Sequence, residues 1–122
     1  LQIRLRTLFN RRSKFNAKKA YCSNAHKHDS KREAARCDEL HVLWSAGVIA
    51  DLVIHPQFWF VINGKQVKHD NGRRCGYKPD FSYTENSQEI VEDIKGMVTP
   101  DFTLRKAIFK ALFPTIEFRQ TK

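Results

Sequence analysis

The sequence predicts a single α/β domain, with a mixed sheet of about four strands and helices packed on it. Three observations carry that expectation. Two segments place apolar residues at helical spacing between recognisable caps. Several shorter runs alternate apolar and polar residues around turn signals. The second helix also stands between the last two strands, so those strands are joined by a helical crossover, whereas the earlier ones are joined by hairpins. The expected order is helix, three strands, helix, strand.

The first helix is expected over "HDSKREAARCDELHVLWSAGVI". Ser30 has the oxygen an N-cap needs, Glu33 follows at capping-box distance, and Gly47 stands where the chain turns out of the helix. Ala34, Cys37, Leu40, Val42, Leu43 and Trp44 form the expected apolar stripe. "IADLVIHPQFWFVING" then reads as a strand, with Pro56 as a bulge or edge feature and Asn63-Gly64 as a hairpin turn. "KQVKHDNGRRCG" is polar, basic and rich in turn residues, as in a hairpin arm or loop. "YKPDFSYTE" and "EIVEDIKG" are two strands joined through "ENSQ". Thr99 as N-cap and Pro100 at the first helical position open a helix over "DFTLRKAIFKALF". Pro114 stops it, and "TIEFRQ" is the last strand.

At 122 residues the chain has room for one modest core, and nine Phe and two Trp supply bulk for it. No apolar run is long enough to span a bilayer. The first residues lack an apolar signal core and a small-residue cleavage site, so no secretory signal is expected. The chain does not open on Met, which raises the expectation of residues upstream of Leu1. The net charge of +9 is concentrated at one end. Residues 1–28 hold Arg4, Arg6, Arg11, Arg12, Lys14, Lys18, Lys19 and Lys27 and no acid, while the rest is nearly balanced. The expected organisation is thus a basic arm over 1–28 and a folded domain over 29–122. Such an arm fits phosphate contacts with nucleic acid, and equally a solvated tail.

Three widely spaced cysteines, with no CxxC pair, argue against a disulfide framework and fit a reducing compartment. Cys22, His26 and His28 are metal-ligand residue types, as are Cys37 and His41 one helical turn apart. Neither set matches a familiar four-ligand zinc spacing, so isolated buried Cys and surface His are expected instead.

The strand "EIVEDIKG" poses the chemical question. Charges within a strand cost free energy unless paired or used. Alternation puts Val91, Asp93 and Lys95 on one face and Glu92 and Ile94 on the other. Antiparallel pairing centred between Glu85 and Gln88 brings Asp93 opposite Asp80 or its direct neighbour. Two carboxylates there repel unless a cation stands between them, and Asp oxygens with positions left for water suit Mg2+. A plain surface ion pair between Asp93 and Lys95 is the blander account.

Pro79-Asp80, twelve intervening residues and Asp93-Ile94-Lys95, after a helix carrying an acid, resemble the PD-(D/E)XK nuclease superfamily. That superfamily includes restriction endonucleases and several Holliday-junction resolvases. From about Lys14 to Phe118 the chain more narrowly resembles small prophage-encoded endonucleases long filed as a domain of unknown function. The segments that carry this are "DSKREAARCDELHVLWSAGVIADL", "YKPDFSYTE", "VEDIKG" and "TLRKAIFKALFP". His55-Pro56 departs from the Gln-Pro of those relatives.

The resemblance implies a restriction-endonuclease-like core of order αβββαβ, and a metal-dependent endonuclease hydrolysing phosphodiester bonds of DNA, including branched or recombination DNA. It matches Asp80 and Asp93 to metal-binding acids and Lys95 to the Lys beside them. Glu33 is matched to the acid of the first helix, which from the residues alone is the capping-box partner of Ser30. Mg2+, or Mn2+ in its place, is the implied cofactor, and the cytoplasm of a bacterial host cell the implied location. A homodimer fits the need for two active sites on a symmetric junction. Arg11, Arg12, Lys14, Lys18 and Lys19 of the arm, Arg73 and Arg74 of the loop, and Arg105, Lys106 and Lys110 of the second helix are the expected DNA contacts. The main alternative is a nucleic-acid-binding module of the same fold without catalysis. A third reading is an interaction domain in which Asp80, Asp93 and Lys95 lie far apart.

Overall fold

The computed structural model describes residues 19–122. Arg11, Arg12, Lys14 and Lys18 lie outside the described residues. The chain divides into two compact units, with the boundary between Asp38 and Glu39, inside the first helix.

In the first unit a ribbon of two short antiparallel strands, β1 (Ala20–Tyr21) and β2 (Lys27–His28), leads into helix α1 (Lys31–Ser45). Ser30 caps the helix as the sequence predicts, while the return bond of the capping box falls one residue earlier than the N-cap, on Asp29. The Glu33 N–H donates to Ser30 Oγ at 3.1 Å, and the Glu33 carboxylate reaches back to the Asp29 N–H at 2.8 Å. Lys19 pairs with the exposed Asp29 carboxylate. Cys22 and Cys37 are buried free thiols, as expected, but His28 is 1% exposed rather than a surface histidine. Cys22, His26, His28 and Cys37 converge, whereas His41 is not among them.

At its far end α1 terminates at Gly47, whose φ of 77° is the left-handed turn a glycine makes without strain. The Val48 N–H closes that turn on the Leu43 carbonyl at 2.9 Å. Ala34, Cys37 and Leu40 are buried, but Val42 and Trp44 point outward, so the apolar stripe is narrower than predicted.

The second unit holds a mixed four-stranded sheet. Its strands are β3 (Ala50–Ile54), β8 (Phe81–Glu85), β9 (Gln88–Ile94) and β10 (Glu117–Thr121), in the order β10-β9-β8-β3. The first three neighbours along the chain pair antiparallel, and β10 lies parallel to β9 after crossing over through α2 (Pro100–Leu112). Within this sheet and its helices the order is the predicted one. Thr99 Oγ1 caps α2 by accepting from the Phe102 N–H, with Pro100 in the first turn, where its missing N–H costs nothing.

Two expected strands are broken, each at a proline. After β3 the chain turns at His55, with φ of 52°, and Pro56 has no N–H for a ladder. Beyond it come three short pieces: β4 (Phe58–Trp59), β5 (Val61–Ile62) and β6 (Lys65–Gln66), the last two joined by the Asn63-Gly64 turn. The segment "YKPDFSYTE" is likewise split at Pro79 into β7 (Gly76–Tyr77) and β8. Strand β7 pairs with β4, and a side chain at Gly76 would bring its Cβ within 2.5 Å of the Phe58 carbonyl oxygen.

Strand β9 is buried on both faces, not one. Ile90, Val91, Glu92 and Asp93 are each 1% exposed or less. On the Val91 face α2 lays Phe102 and Phe109 against Phe60, Tyr77 and Val91, with Phe58, Phe113 and Phe118 packed around them. Each fully buried Phe contributes about 1.5–3 kcal/mol, so this aromatic cluster fixes α2 against the sheet. Among the described residues no helix is long and apolar enough to cross a membrane.

Candidate metal-binding acid pair

Three local features bring the predicted acids together. The turn Asn86-Ser87 has both residues at positive φ, 51° and 64°, the geometry of a two-residue hairpin. It sets a register in which Glu85 pairs Gln88 and Phe81 pairs Glu92. Continued by one residue, that register puts Asp80 opposite Asp93. The Asp80 carboxylate then accepts from the Ile94 N–H at 2.7 Å, and its own carbonyl accepts from the His55 N–H at 2.8 Å. Asp80 is thereby held from both flanking strands.

Asp93 is 1% exposed and hydrogen-bonded to Asp80. Its carboxylate also accepts from the Tyr77 hydroxyl and lies 3.5 Å from Lys95 Nζ. Burial, then the hydrogen bond and charge of Asp80, push the Asp93 carboxyl up to about 7, against the lowering pull of Tyr77 and Lys95. Burial and the charge of Asp93 hold the Tyr77 phenol far above its usual range. The reading in which Asp80, Asp93 and Lys95 lie far apart is thus overturned.

Lys95 keeps contact with solvent, at 31% side-chain exposure, while its ammonium rests 4.7 Å over the Phe102 ring. Its backbone N–H is anchored on the Thr121 carbonyl. Gln120 is the register partner of Asp93 on β10, and Lys106 of α2 donates to Gln120 Oε1 at 2.7 Å. The helix cation thus reaches the strand that flanks the acids.

The other face of β9 holds a second buried acid. Glu92 accepts from the Tyr83 hydroxyl at 2.7 Å, and Arg119 lies 3.4 Å from that hydroxyl and 3.1 Å from Glu85. Alternation across the strand separates the two acids, as the sequence predicts.

The remaining predicted residues take other places. Glu33 lies in the first unit, where it holds the Asp29 N–H and contacts His28 Nδ1 at 3.1 Å. Arg105 pairs with Asp101 one turn back on α2, and Lys110 is exposed in the last turn. Arg73 and Arg74 belong to the loop between β6 and β7, where Arg74 stacks 3.9 Å over the Trp59 ring. Sequence reasoning missed Tyr77 and Gln120. Tyr77 carried one signal, since a tyrosine in an apolar strand needs a partner for its hydroxyl. Gln120 carried none, because its place depends on the parallel register of β10.

No curated protein and no solved structure matches the chain. A family model does, over residues 12–121, with the description "Protein of unknown function (DUF1064)". Since that match takes in nearly the whole sequence, the chain belongs to the DUF1064 family.

Proposed function

We propose that this protein is a metal-dependent DNA endonuclease of the PD-(D/E)XK kind, with Asp80 and Asp93 as metal ligands and Lys95 as the catalytic cation. One observation carries the reading. Two carboxylates are packed together at the end of a hairpin, one of them almost wholly buried, with a lysine 3.5 Å away. Placing like charges side by side in a desolvated site costs stability, so a structural role alone gives no reason for it. A hard cation resolves the conflict, and the all-oxygen donor set fits Mg2+ or Mn2+. Such an ion, when bound, supplies Lewis-acid stabilisation of charge at a phosphate and acidifies water.

The chain's own residues have definite tasks in this reading. Hydrogen bonds from Ile94 and Tyr77 hold the two carboxylates in place without consuming all their lone pairs. Lys95, with its ammonium over the Phe102 ring and 3.5 Å from Asp93, stabilises charge developing on the phosphate or positions the attacking water. Lys106, Arg105 and Lys110 supply cations for the flanking backbone phosphates. Hydrolysis leaving a 5′-phosphate is the expected outcome.

The test is cleavage of labelled linear, flap and four-way-junction DNA with Mg2+, with Mn2+ and with chelator, using wild type and Asp93→Ala. Metal-dependent cutting that the variant loses supports the reading, and the preferred substrate narrows it. Symmetric paired incisions on the junction would add a second copy of the chain to the active assembly. Equal binding by both proteins with no cutting of any substrate would replace the enzyme with a non-catalytic DNA-binding module.

A further inference from the structure

The first unit contains a convergence that the acid pair does not use. Cys22 and His26 stand in the loop between β1 and β2, His28 ends β2, and Cys37 faces them from the second turn of α1. One ligand atom from each of the four lies within 4.8 Å of every other. His26 Nδ1 stands 3.5 Å from Cys22 Sγ and 3.5 Å from Cys37 Sγ. On a tetrahedral zinc, a sulfur at about 2.3 Å and a nitrogen at about 2.0–2.1 Å stand roughly 3.5 Å apart. The two observed spacings are edges of such a tetrahedron.

We propose that Cys22, His26, His28 and Cys37 form a structural zinc site of the Cys2His2 type. Both thiols release their protons to solvent on binding, so two thiolates, two neutral imidazoles and Zn2+ make a complex with no net charge. A neutral complex suits this setting, where Cys22, His28 and Cys37 are all buried. Four protein ligands leave no open position, which marks the site as structural rather than catalytic.

The surroundings agree. His28 Nδ1 meets the Glu33 carboxylate at 3.1 Å, the arrangement that orients a metal-bound imidazole. Glu33 is in turn fixed by the Asp29 N–H. The Cys22 N–H donates to the His26 carbonyl at 3.1 Å, closing the loop that carries two of the ligands. Ser23 is tied to Asp38 on α1 through its N–H at 2.7 Å and its hydroxyl at 3.2 Å. A ribbon of two residue pairs is too small to be stable alone. A cation that pins it to α1 supplies the missing stability. The ribbon's ligands are spaced C-x3-H-x-H, and the fourth lies nine residues on, so no standard finger pattern shows in the sequence.

The test is the metal content of the full chain, purified without chelator and measured by plasma mass spectrometry. About one zinc per chain is expected. Replacing it with Co2+ should give the thiolate charge-transfer and intense visible bands of a tetrahedral sulfur-ligated ion. Cys37→Ser and His26→Ala should lose the metal, while His41→Ala and Asp93→Ala should retain it. Glu33→Gln should weaken Co2+ binding by about 10- to 100-fold, the usual cost of losing a residue that orients a ligand. Should Cys37→Ser fail to fold, the wild-type zinc content and cobalt spectrum still decide the matter. Zinc far below one per chain, with no cobalt bands on titrating reduced protein, would overturn the proposal. So would iron in place of zinc, or a Cys22–Cys37 disulfide as the resting state. Because the readout is metal rather than cleavage, its failure and that of the nuclease reading are distinguishable.

Discussion

The two faces of β9 each bury one acid beside one tyrosine, and the resemblance ends there. On one face Glu92 takes the Tyr83 hydroxyl, and Arg119 stands behind that tyrosine with a second link to Glu85. Opposite charges close that network within the protein. On the other face Asp93 takes the Tyr77 hydroxyl, but its further neighbour is another carboxylate, Asp80. Lys95 offsets only part of the charge, because it lies 3.5 Å from Asp93 on a partly exposed side chain. A buried acid beside an arginine network belongs to the scaffold. A buried acid beside a second acid is the feature on which the proposed metal site rests.

That contrast can be broken from either side. The largest effect is expected at Asp93. Replacing it with Asn should lower metal-dependent cleavage by a factor on the order of 10³ or more, since each tenfold corresponds to about 1.4 kcal/mol and a metal ligand supplies several. Above about pH 7 in chelator the same variant should melt higher than wild type, because there it removes the repulsion between two ionised carboxylates. Thermal melts alongside cleavage assays check both, and a lower melting temperature would mean that the acid pair is part of the scaffold after all. Glu92→Ala should do the reverse. Leaving the Tyr83 hydroxyl without its acceptor in a buried site should cost about 1–3 kcal/mol in urea unfolding, with cleavage by the folded fraction retained.

Next is pH. The folded chain keeps a proton on Asp93 up to about 7, whereas the unfolded chain releases it near 3.8. Between those values the folded state binds more protons, so the stability that the Asp93 proton contributes without divalent ions is full below about pH 4 and falls as pH rises toward 7. Melts across that range in chelator should show the fall, and added Mg2+ should reduce it near neutrality. Tyr77→Phe is a finer probe. It removes a hydrogen bond that lowers the Asp93 pKa, so the acid limb of the cleavage profile should move to higher pH, at a stability cost of about 1 kcal/mol. The smallest effect is expected at Lys110. Its Ala variant should reduce the salt slope of DNA binding by roughly 0.9, measured by anisotropy at several salt concentrations.

Much of the fold is legible because local chemistry dictates it. Ser30 and Thr99 cap the predicted helices, Gly47 ends the first, and the turn after Glu85 brings Asp80 to Asp93. Illegible features are those set by distant packing. The sequence places Pro56 and Pro79 within strands, yet the backbone turns there and the strands end. The outward turn of Val42 and Trp44 depends on what meets the helix, which its own periodicity does not encode. The Cys and His residues look scattered in the sequence because their spacing fits no standard finger; only the ribbon folding back on α1 gathers them.

The Asn86-Ser87 turn has a consequence beyond joining two strands. It lies roughly 17 Å along β9 from Asp93, at about 3.4 Å per residue, yet it decides which side chain arrives opposite Asp80. Were the chain one residue longer there, with the two-residue turn re-formed a step earlier on β9, Glu92 would take that place and Asp93 would pass to the opposite side. Ile90 and Val91 are both buried, so hydrophobicity alone resists such a slip only weakly. The turn is in effect a remote selector between two acids, and its length is a setting that evolution or an engineer can change without touching the site.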